Sequence, residues 1–200
     1  DDIVRMMPFY ECFIKLDIKS FYASIDQEKL MSILKKKIRK QEILLLIWNA
    51  IKTESLSYPV KEKIERTQRL NGIPEGLPIS NALANIYMSG IDKKYQNMDG
   101  ISYYRYVDDI LILVNEEKFF EIKKEIAKDI DELCLELNEK KDEGKISESF
   151  EYLGYNLSND KVSVRKSSVL KLEQSMEDLF GEVKKENIEY LKWKINLKIT

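Results

Sequence analysis

The sequence predicts an α+β fold: a mainly antiparallel sheet with packed helices. Three observations carry that prediction. β-Favouring runs come in close pairs, 101–106 with 110–114 and 150–157 with 162–164, each pair joined by only a few residues. Between the pairs lie segments with apolar residues at every third or fourth position. Finally, 44% of the 200 residues are hydrophobic, enough to bury a core and to exclude a disordered tail.

The elements follow in chain order. Residues 11–18 read as a strand, because Phe13, Ile14 and Leu16 favour extended backbone, with Asp17 at its end. Asp26 suits an N-cap, and Leu30, Ile33, Leu34 and Ile38 follow at helical spacing. Residues 42–52 form a second helix, apolar nearly all round and therefore expected to be buried. Residues 58–69 look irregular or short-stranded. Pro74, Gly76 and Pro78 make a turn-rich loop. A helix over 80–92 then presents Leu83, Ile86, Tyr87 and Ile91. The hairpin of 101–106 and 110–114 carries Val107-Asp108-Asp109 at its tip. Phe119, Ile122, Ile126, Ile130, Leu133 and Leu137 step by three or four and predict one long amphipathic helix. A second hairpin is expected from 150–157 and 162–164 around Ser158-Asn159-Asp160, and the tail from Ser168 reads as helical and basic.

Composition narrows the chemistry. There is no histidine, which excludes Ser-His and Cys-His nucleophile pairs, HExxH zinc sites and imidazole proton shuttles. Two cysteines, Cys12 and Cys134, are too few for a disulfide scaffold or a four-ligand zinc site and suit a reduced, cytoplasmic protein. The longest apolar run, 43–48, is far short of the roughly 20 residues that cross a bilayer, and no membrane association is expected. The net charge of -2 hides a pattern. Residues 29–69 carry +7, 70–117 carry -4, 118–160 carry -5 and 161–200 carry +3. An acidic middle with basic flanks is compatible with a cation site beside a polyanion track, and equally with solvated helix faces.

Asp17, Asp108 and Asp109 stand out. If the first strand and the hairpin are neighbours in one sheet, three carboxylates converge at one end. Like charges crowd there only if a cation neutralises them. Hard oxygen ligands at an open polar site suit Mg²⁺ or Mn²⁺. Two such ions can activate a 3′-hydroxyl and hold a leaving pyrophosphate. An Asp-Asp pair alone reads as a polar turn. Here it lies between Tyr103-Tyr104-Arg105-Tyr106-Val107 and Ile110-Leu111-Ile112-Leu113-Val114, and two acids between core strands need a reason.

Tyr106-Val107-Asp108-Asp109 resembles the Y-x-D-D box of reverse transcriptases. Lys15-Leu16-Asp17-Ile18-Lys19-Ser20-Phe21-Tyr22 resembles their first carboxylate motif, an Asp followed five positions later by an aromatic. Asn71-Gly72-Ile73-Pro74-Glu75-Gly76-Leu77-Pro78-Ile79-Ser80, with Leu83-Ala84-Asn85-Ile86-Tyr87-Met88 after it, is similar to the Pro-Gln-Gly loop and helix. Leu135-Glu136-Leu137-Asn138-Glu139-Lys140-Lys141 is similar to the next motif. Phe150-Glu151-Tyr152-Leu153-Gly154-Tyr155 looks like the primer-grip hairpin. Five motifs occur in the family's order, in a style nearest to bacterial group II intron, retron and defence-associated enzymes.

The resemblance implies a polymerase palm over residues 1–157 and the start of a helical thumb over 158–200, with fingers largely absent. It implies an RNA-directed DNA polymerase, with an RNA template, a DNA or RNA primer and dNTPs as partners. A non-coding RNA or a partner protein is left open. Asp17, Asp108 and Asp109 would hold two Mg²⁺ or Mn²⁺ ions, Ile18 adding a ligand. Phe21, Tyr22, Glu75 and Gly76 would bind the substrate, Tyr22 being the steric gate against a 2′-hydroxyl. Gly76 would let backbone approach the nascent pair. Glu75 departs from the family's usual Gln, replacing a donor and acceptor by a charged acceptor. Lys141 would donate a proton to pyrophosphate. Tyr152, Leu153 and Gly154 would grip the primer end. Lys35-Lys36-Lys37, Arg39, Lys40, Lys61, Lys63, Arg66 and Arg69 would meet template phosphates. Lys184, Lys185, Lys192, Lys194 and Lys198 fall where the thumb follows the duplex. Arg105 could touch nucleic acid or pair with a nearby acid. Two other readings stay open: an untemplated or protein-primed polymerase of phage defence, and a non-catalytic palm-fold scaffold. Because 16 residues precede Asp17, where the family places its fingers, the chain is expected to be a fragment.

Overall fold

A computed structural model of the chain describes residues 2–52, 71–138, 142–158 and 161–181, with the side chains of the last helix through 178. The chain divides into two compact units, Asp1–Ile146 and Ser147–Thr200.

The first unit opens with α1 (Asp2–Met6) and a 3₁₀ turn at Met7–Phe9, then enters β1 (Cys12–Asp17). Three helices follow: α2 (Phe21–Ser24), α3 (Gln27–Lys35) and α4 (Gln41–Ile51). Asp26 caps α3 as its side chain type predicts, accepting a hydrogen bond from the Lys29 amide at 2.7 Å. After the loop come α5 (Ser80–Gln96), β2 (Ile101–Tyr106), β3 (Asp109–Val114), α6 (Glu116–Glu132) and β4 (Asp142–Lys145). The four strands form one sheet in the order β2-β3-β1-β4, every neighbour antiparallel.

Strand β3 lies between β2 and β1, and Ile110 through Val114 are fully buried. That explains its unbroken apolar run: a strand covered on both faces has no polar face to alternate with. Ile14, Ile110 and Ile112 share a core with Leu30 and Leu34 of α3, Tyr87 and Met88 of α5, and Ile122 and Ile126 of α6. The helices and the inner sheet face are thus one apolar layer, and each helix presents it with the spacing seen in its sequence.

Four expectations need correction. Helix 42–52 is present as α4, but it is not buried: Leu45 and Leu46 are 59% and 69% exposed, and only Leu44 and Ile51 of the helix are buried. The long helix through Leu137 stops at Glu132. Cys134 turns left-handed (φ +59°), the Cys134 amide donates to Asp131 O and the Leu135 amide donates back to Ile130 O. This is a Schellman cap, and it returns Leu135 to the core beside Ile130. Its sequence signal was hidden because Cys stands where Gly is usual. Strand β4 was not foreseen, since Asp142-Glu143-Gly144-Lys145 has no β-favouring residue. It adds to the free edge of β1 through backbone pairing, with ion pairs Lys15–Asp142 (2.8 Å), Lys123–Glu143 (2.5 Å) and Lys145–Glu116 (2.7 Å). A short charged strand is a common way to close a sheet edge. Last, the run 150–157 is two strands.

Those strands belong to the second unit, where β5 (Phe150–Tyr152), β6 (Tyr155–Leu157) and β7 (Val162–Val164) make a three-stranded antiparallel sheet before α7 (Lys166–Gly181). Leu153 (φ +48°) and Gly154 (φ +81°) are both left-handed and close a two-residue turn between paired Tyr152 and Tyr155. Residues 58–69, read as irregular or short-stranded, lie outside the described residues.

Candidate active site

The site grows from the C-terminal end of β1. In the β1–β3 register Asp17 stands opposite Asp109, so two of the three predicted carboxylates are direct cross-strand neighbours. Asp108 sits in the two-residue turn between β2 and β3, and its carbonyl accepts from the Ile18 amide at 3.3 Å. The turn requires Val107 to adopt a left-handed φ of +58°, uncommon for a β-branched residue. Arg105 helps hold it there, Nη1 donating to Val107 O at 2.8 Å.

The same arginine also reaches α5, donating from Nη1 and Nη2 to Asn85 Oδ1 at 3.2 Å and pairing with Asp92. Nε donates to Oδ1 at 2.7 Å and Nη2 to Oδ2 at 2.6 Å, a bidentate pair, while Tyr103 donates to Oδ1 at 3.0 Å. The Arg105 side chain is only 8% exposed. Of the two roles open to Arg105, the fold selects the ion pair.

On the other flank of β1, the chain that leaves α6 runs antiparallel to residues 17–19. Lys19 N donates to Glu136 O and Asn138 N to Asp17 O, both at 2.8 Å, with Ile18 bridged to Leu137. The Asn138 side chain then reaches the catalytic candidate itself, Nδ2 donating to Asp17 Oδ2 at 2.8 Å. Asn138 was read only within the motif 135–141, one residue past the end of the expected helix, so its proximity to Asp17 was not visible in the sequence.

The electrostatics follow from this crowding. Burial raises the Asp109 carboxyl above the ordinary carboxylate value, and the charges of Asp108 and Asp17 raise it further. Lys15 works against them. Lys15 lies two residues before Asp17 on the same sheet face and pairs with Asp142 at 2.8 Å. Among the described residues, no three acidic or cysteine side chains stand as a ready-made metal cage. The register gathers the acidic segments at one end of the sheet, where their like charges repel.

Tyr22 lies on α2, directly after the strand end. Its hydroxyl donates to Asn81 Oδ1 in the first turn of α5. Burial raises its phenol, followed by the charges of Asp108, Glu75 and Tyr106, so these groups surround it. Phe21 faces differently. It is buried in the core and stacks obliquely on Tyr22, with centroids 5.5 Å apart. Its side chain therefore supports Tyr22 and has no free face for a ligand.

The loop of residues 71–79 is fastened to the same elements. Gly72 N donates to Ile25 O and Ile73 N to Tyr22 O, each at 2.8 Å, and the buried Gln27 Nε2 donates to Gly72 O at 2.8 Å. Ser80 Oγ closes the far end on Pro74 O at 2.5 Å. Glu75 and Gly76 are exposed at the tip. Gly76 has φ +88°, and a Cβ there would meet no protein atom within 4 Å.

Tyr152, Leu153 and Gly154 occupy the β5–β6 turn of the second unit, with Tyr152 buried and Leu153 exposed. Lys35 at the end of α3 and Lys36, Lys37, Arg39 and Lys40 after it are exposed. Lys141, Lys61, Lys63, Arg66, Arg69 and the basic residues from Lys184 onward lie outside the described residues. Among the described residues, no helix is long and apolar enough to cross a membrane.

Comparison with known proteins fits this layout. No curated protein sequence matches the chain. Among solved structures, it is similar to apo telomerase from Candida tropicalis truncated from its C-terminal domain. The TM-score is 0.67 at 18% identity, over 82% of this chain and 39% of that one. It is also similar to telomerase from Candida albicans in complex with a TWJ fragment of telomeric RNA. There the TM-score is 0.68 at 13% identity, over 82% of this chain and 34% of that one. At such identities the likeness is one of fold, and the chain spans well under half the length of either structure. The family model for "Reverse transcriptase (RNA-dependent DNA polymerase)" matches residues 2–157, and the chain belongs to that family.

Proposed function

We propose that this chain is the palm, residues 1–157, and the start of the thumb, from 158, of an enzyme that adds dNTPs to a primer 3′-end as directed by an RNA template. The observation that carries the proposal is the β1–β3 register, which sets Asp17 against Asp109 with Asp108 in the adjoining turn. The donor set fits hard divalent cations such as a pair of Mg²⁺ or Mn²⁺ ions: carboxylate oxygens at a strand end, beside the Ile18 backbone, with the Asp109 carboxyl raised by burial and then by neighbouring charges that a cation would offset. Such ions would supply Lewis-acid activation of the primer hydroxyl and charge stabilisation of the leaving pyrophosphate.

The chain's own residues do the rest. Asp17, Asp108 and Asp109 hold the cation site. Tyr22, braced by Phe21 and by its bond to Asn81, sets a wall beneath the incoming sugar. Gly76 leaves open space for backbone to approach the nascent pair, and Glu75 offers an acceptor at the same tip. Lys141 serves as proton donor to pyrophosphate, and Tyr152, Leu153 and Gly154 contact the primer. The exposed lysines after α3 contribute sequence-independent attraction to template phosphates. The style of the motifs supports a cytoplasmic bacterial enzyme of a mobile element or of antiviral defence.

The test is incorporation of labelled dNTPs by the purified protein given Mg²⁺ or Mn²⁺, RNA template and primer, followed by sequencing of the product. A copy of the template supports the proposal. Untemplated product points instead to the template-independent or protein-primed reading. Absence of incorporation, with Asp108→Ala indistinguishable from the parent, points to a palm-fold scaffold without catalysis.

A further inference from the structure

The segment 136–138 contributes something that no role above uses. It is bound to the catalytic strand by backbone bonds on both sides of Ile18, and its one side-chain contact with a proposed ligand is Asn138 Nδ2 to Asp17 Oδ2 at 2.8 Å. An amide N–H can only donate there, and it occupies one lone-pair direction of one carboxylate oxygen. The rotation of the Asp17 carboxylate is thereby limited. Oδ2 is committed to Asn138, which leaves Oδ1 as the oxygen free to turn toward Asp109.

We propose that Asn138 is a positioning residue that orients the Asp17 carboxylate for a divalent cation. The inference rests on the reading of Asp17, Asp108 and Asp109 as the cation site. Its physical basis is general. An outer partner that fixes a carboxylate removes the entropic cost of orienting it at the moment of binding, and losing such a partner weakens metal affinity by roughly 10–100-fold. The donor is neutral, so it steers the carboxylate without competing for the cation by charge, as a lysine would. Lys19 of the same junction pairs with Glu136 at 3.2 Å.

The experiment measures Mn²⁺ binding to the full chain by electron paramagnetic resonance and by the metal-induced rise in melting temperature. Neither readout needs polymerase activity. Asn138→Ala is expected to weaken Mn²⁺ roughly 10–100-fold. Its metal-free melting temperature should stay near the parent's, because Asn138 is exposed and the backbone pairing persists. Glu136→Gln loosens the same junction through the Lys19 pair but leaves the Asn138 amide in place, so Mn²⁺ binding should stay close to the parent's. Parent-like binding in Asn138→Ala, while Asp109→Asn abolishes it, would overturn the role of Asn138 and leave the cation site standing. Equal losses in Asn138→Ala and Glu136→Gln would also overturn it, since anchoring of the segment would then be the cause. Failure of the parent to bind Mn²⁺, or binding that survives Asp109→Asn, would overturn the site and the inference together.

Discussion

Gly72 and Gly76 stand four residues apart in one loop, both left-handed, and the structure predicts opposite consequences for adding a methyl group to each. At Gly72 (φ +80°) a Cβ would lie 2.6 Å from Ala23 O, 2.7 Å from Ala23 Cα and 2.8 Å from Ala23 C. All three are backbone atoms and cannot rotate away. The left-handed conformation costs an L-residue about 1–2 kcal/mol, and overpacking against a fixed wall adds about 1–3 kcal/mol. Gly72→Ala should therefore lose about 2–5 kcal/mol, and at about 2–4 °C per kcal/mol the melting temperature falls by roughly 4–20 °C. At Gly76 (φ +88°) no protein atom lies within 4 Å of the added Cβ, so only the conformational cost remains, about 1–2 kcal/mol. On the proposed function that open space is where the nascent pair comes close. Gly76→Ala should keep its fold and still lose primer extension by about 10²-fold, the scale of a misplacement near 1 Å. Thermal melts followed by circular dichroism, paired with extension assays, separate the two. Equal melting temperatures for both variants would refute the packing argument at Gly72. Full extension activity in Gly76→Ala would refute the close approach.

Arg105→Lys keeps the charge but loses the fork that grips Asp92, and Arg105→Ala leaves Asp92 partly buried with Tyr103 alone. Urea denaturation should show a loss of about 3–5 kcal/mol for the alanine variant. The salt dependence of RNA binding should not change, since the guanidinium is engaged by Asp92, Asn85 and the Val107 carbonyl. The Asp109 carboxyl titrates above its unfolded value, so stability is greatest while it is protonated and declines as pH rises through the raised value. Without divalent ions, Asp109→Asn should therefore melt above the parent at neutral pH, with the gain shrinking as pH falls toward about 3.9, the unperturbed value. A constant gain across that range would count against the burial and crowding of the ionised carboxyl as its source. Tyr22→Ala should relax sugar selection by roughly 10–200-fold, the scale of excluding one small group. Asn81→Ala should move it the same way by less, because it frees the ring without removing it; competition between dNTPs and ribonucleotides gives the ratio.

The parts of the fold that the sequence made legible are those where one periodicity dominates. Strand β3 is apolar from Ile110 to Val114 because both faces are covered, α5 and α6 repeat at helical spacing because one stripe faces the core, and Asp26 announces its helix by its own chemistry. Where non-local pairing decides, local signals misled. Strand β4 has no β-favouring side chain and exists through backbone bonds to β1 and three ion pairs with residues far from it in sequence. Leu133 and Leu137 continued the helical spacing past the true end of α6, and a left-handed Cys134 stopped it without the glycine that usually marks such a cap. Helix α4 was apolar enough to predict burial, yet hydrophobicity states only a preference, and a partner surface has to exist to satisfy it. For the site, the residue types of Asp17, Asp108, Asp109 and Tyr22 were legible, but the contacts that orient them were not. Asn138 and Asn81 lie 121 and 59 positions from the side chains they hold.

This division has a physical reason. The three aspartates are placed by backbone register, which the sheet determines through hydrogen bonds and buried apolar side chains that are indifferent to what stands at the strand end. Cys12 to Leu16 pair with Ile110 to Val114, and that pairing carries Asp17 to Asp109 despite their mutual repulsion. The apolar strands supply the stability, and the strand end bears an electrostatic cost that the rest of the sheet can sustain. Orientation of the carboxylates requires something more local than register. It comes from short polar contacts: Arg105 on the carbonyl before Asp108, part of a buried ion-pair network that also supports the fold, and the exposed Asn138 on Asp17, which contributes little to folding. A site built this way can lose its geometry while keeping its fold. Substitution at Asn138 should therefore appear in cation binding well before it appears in a melting curve, whereas substitution at Ile14 or Ile112 should do the reverse.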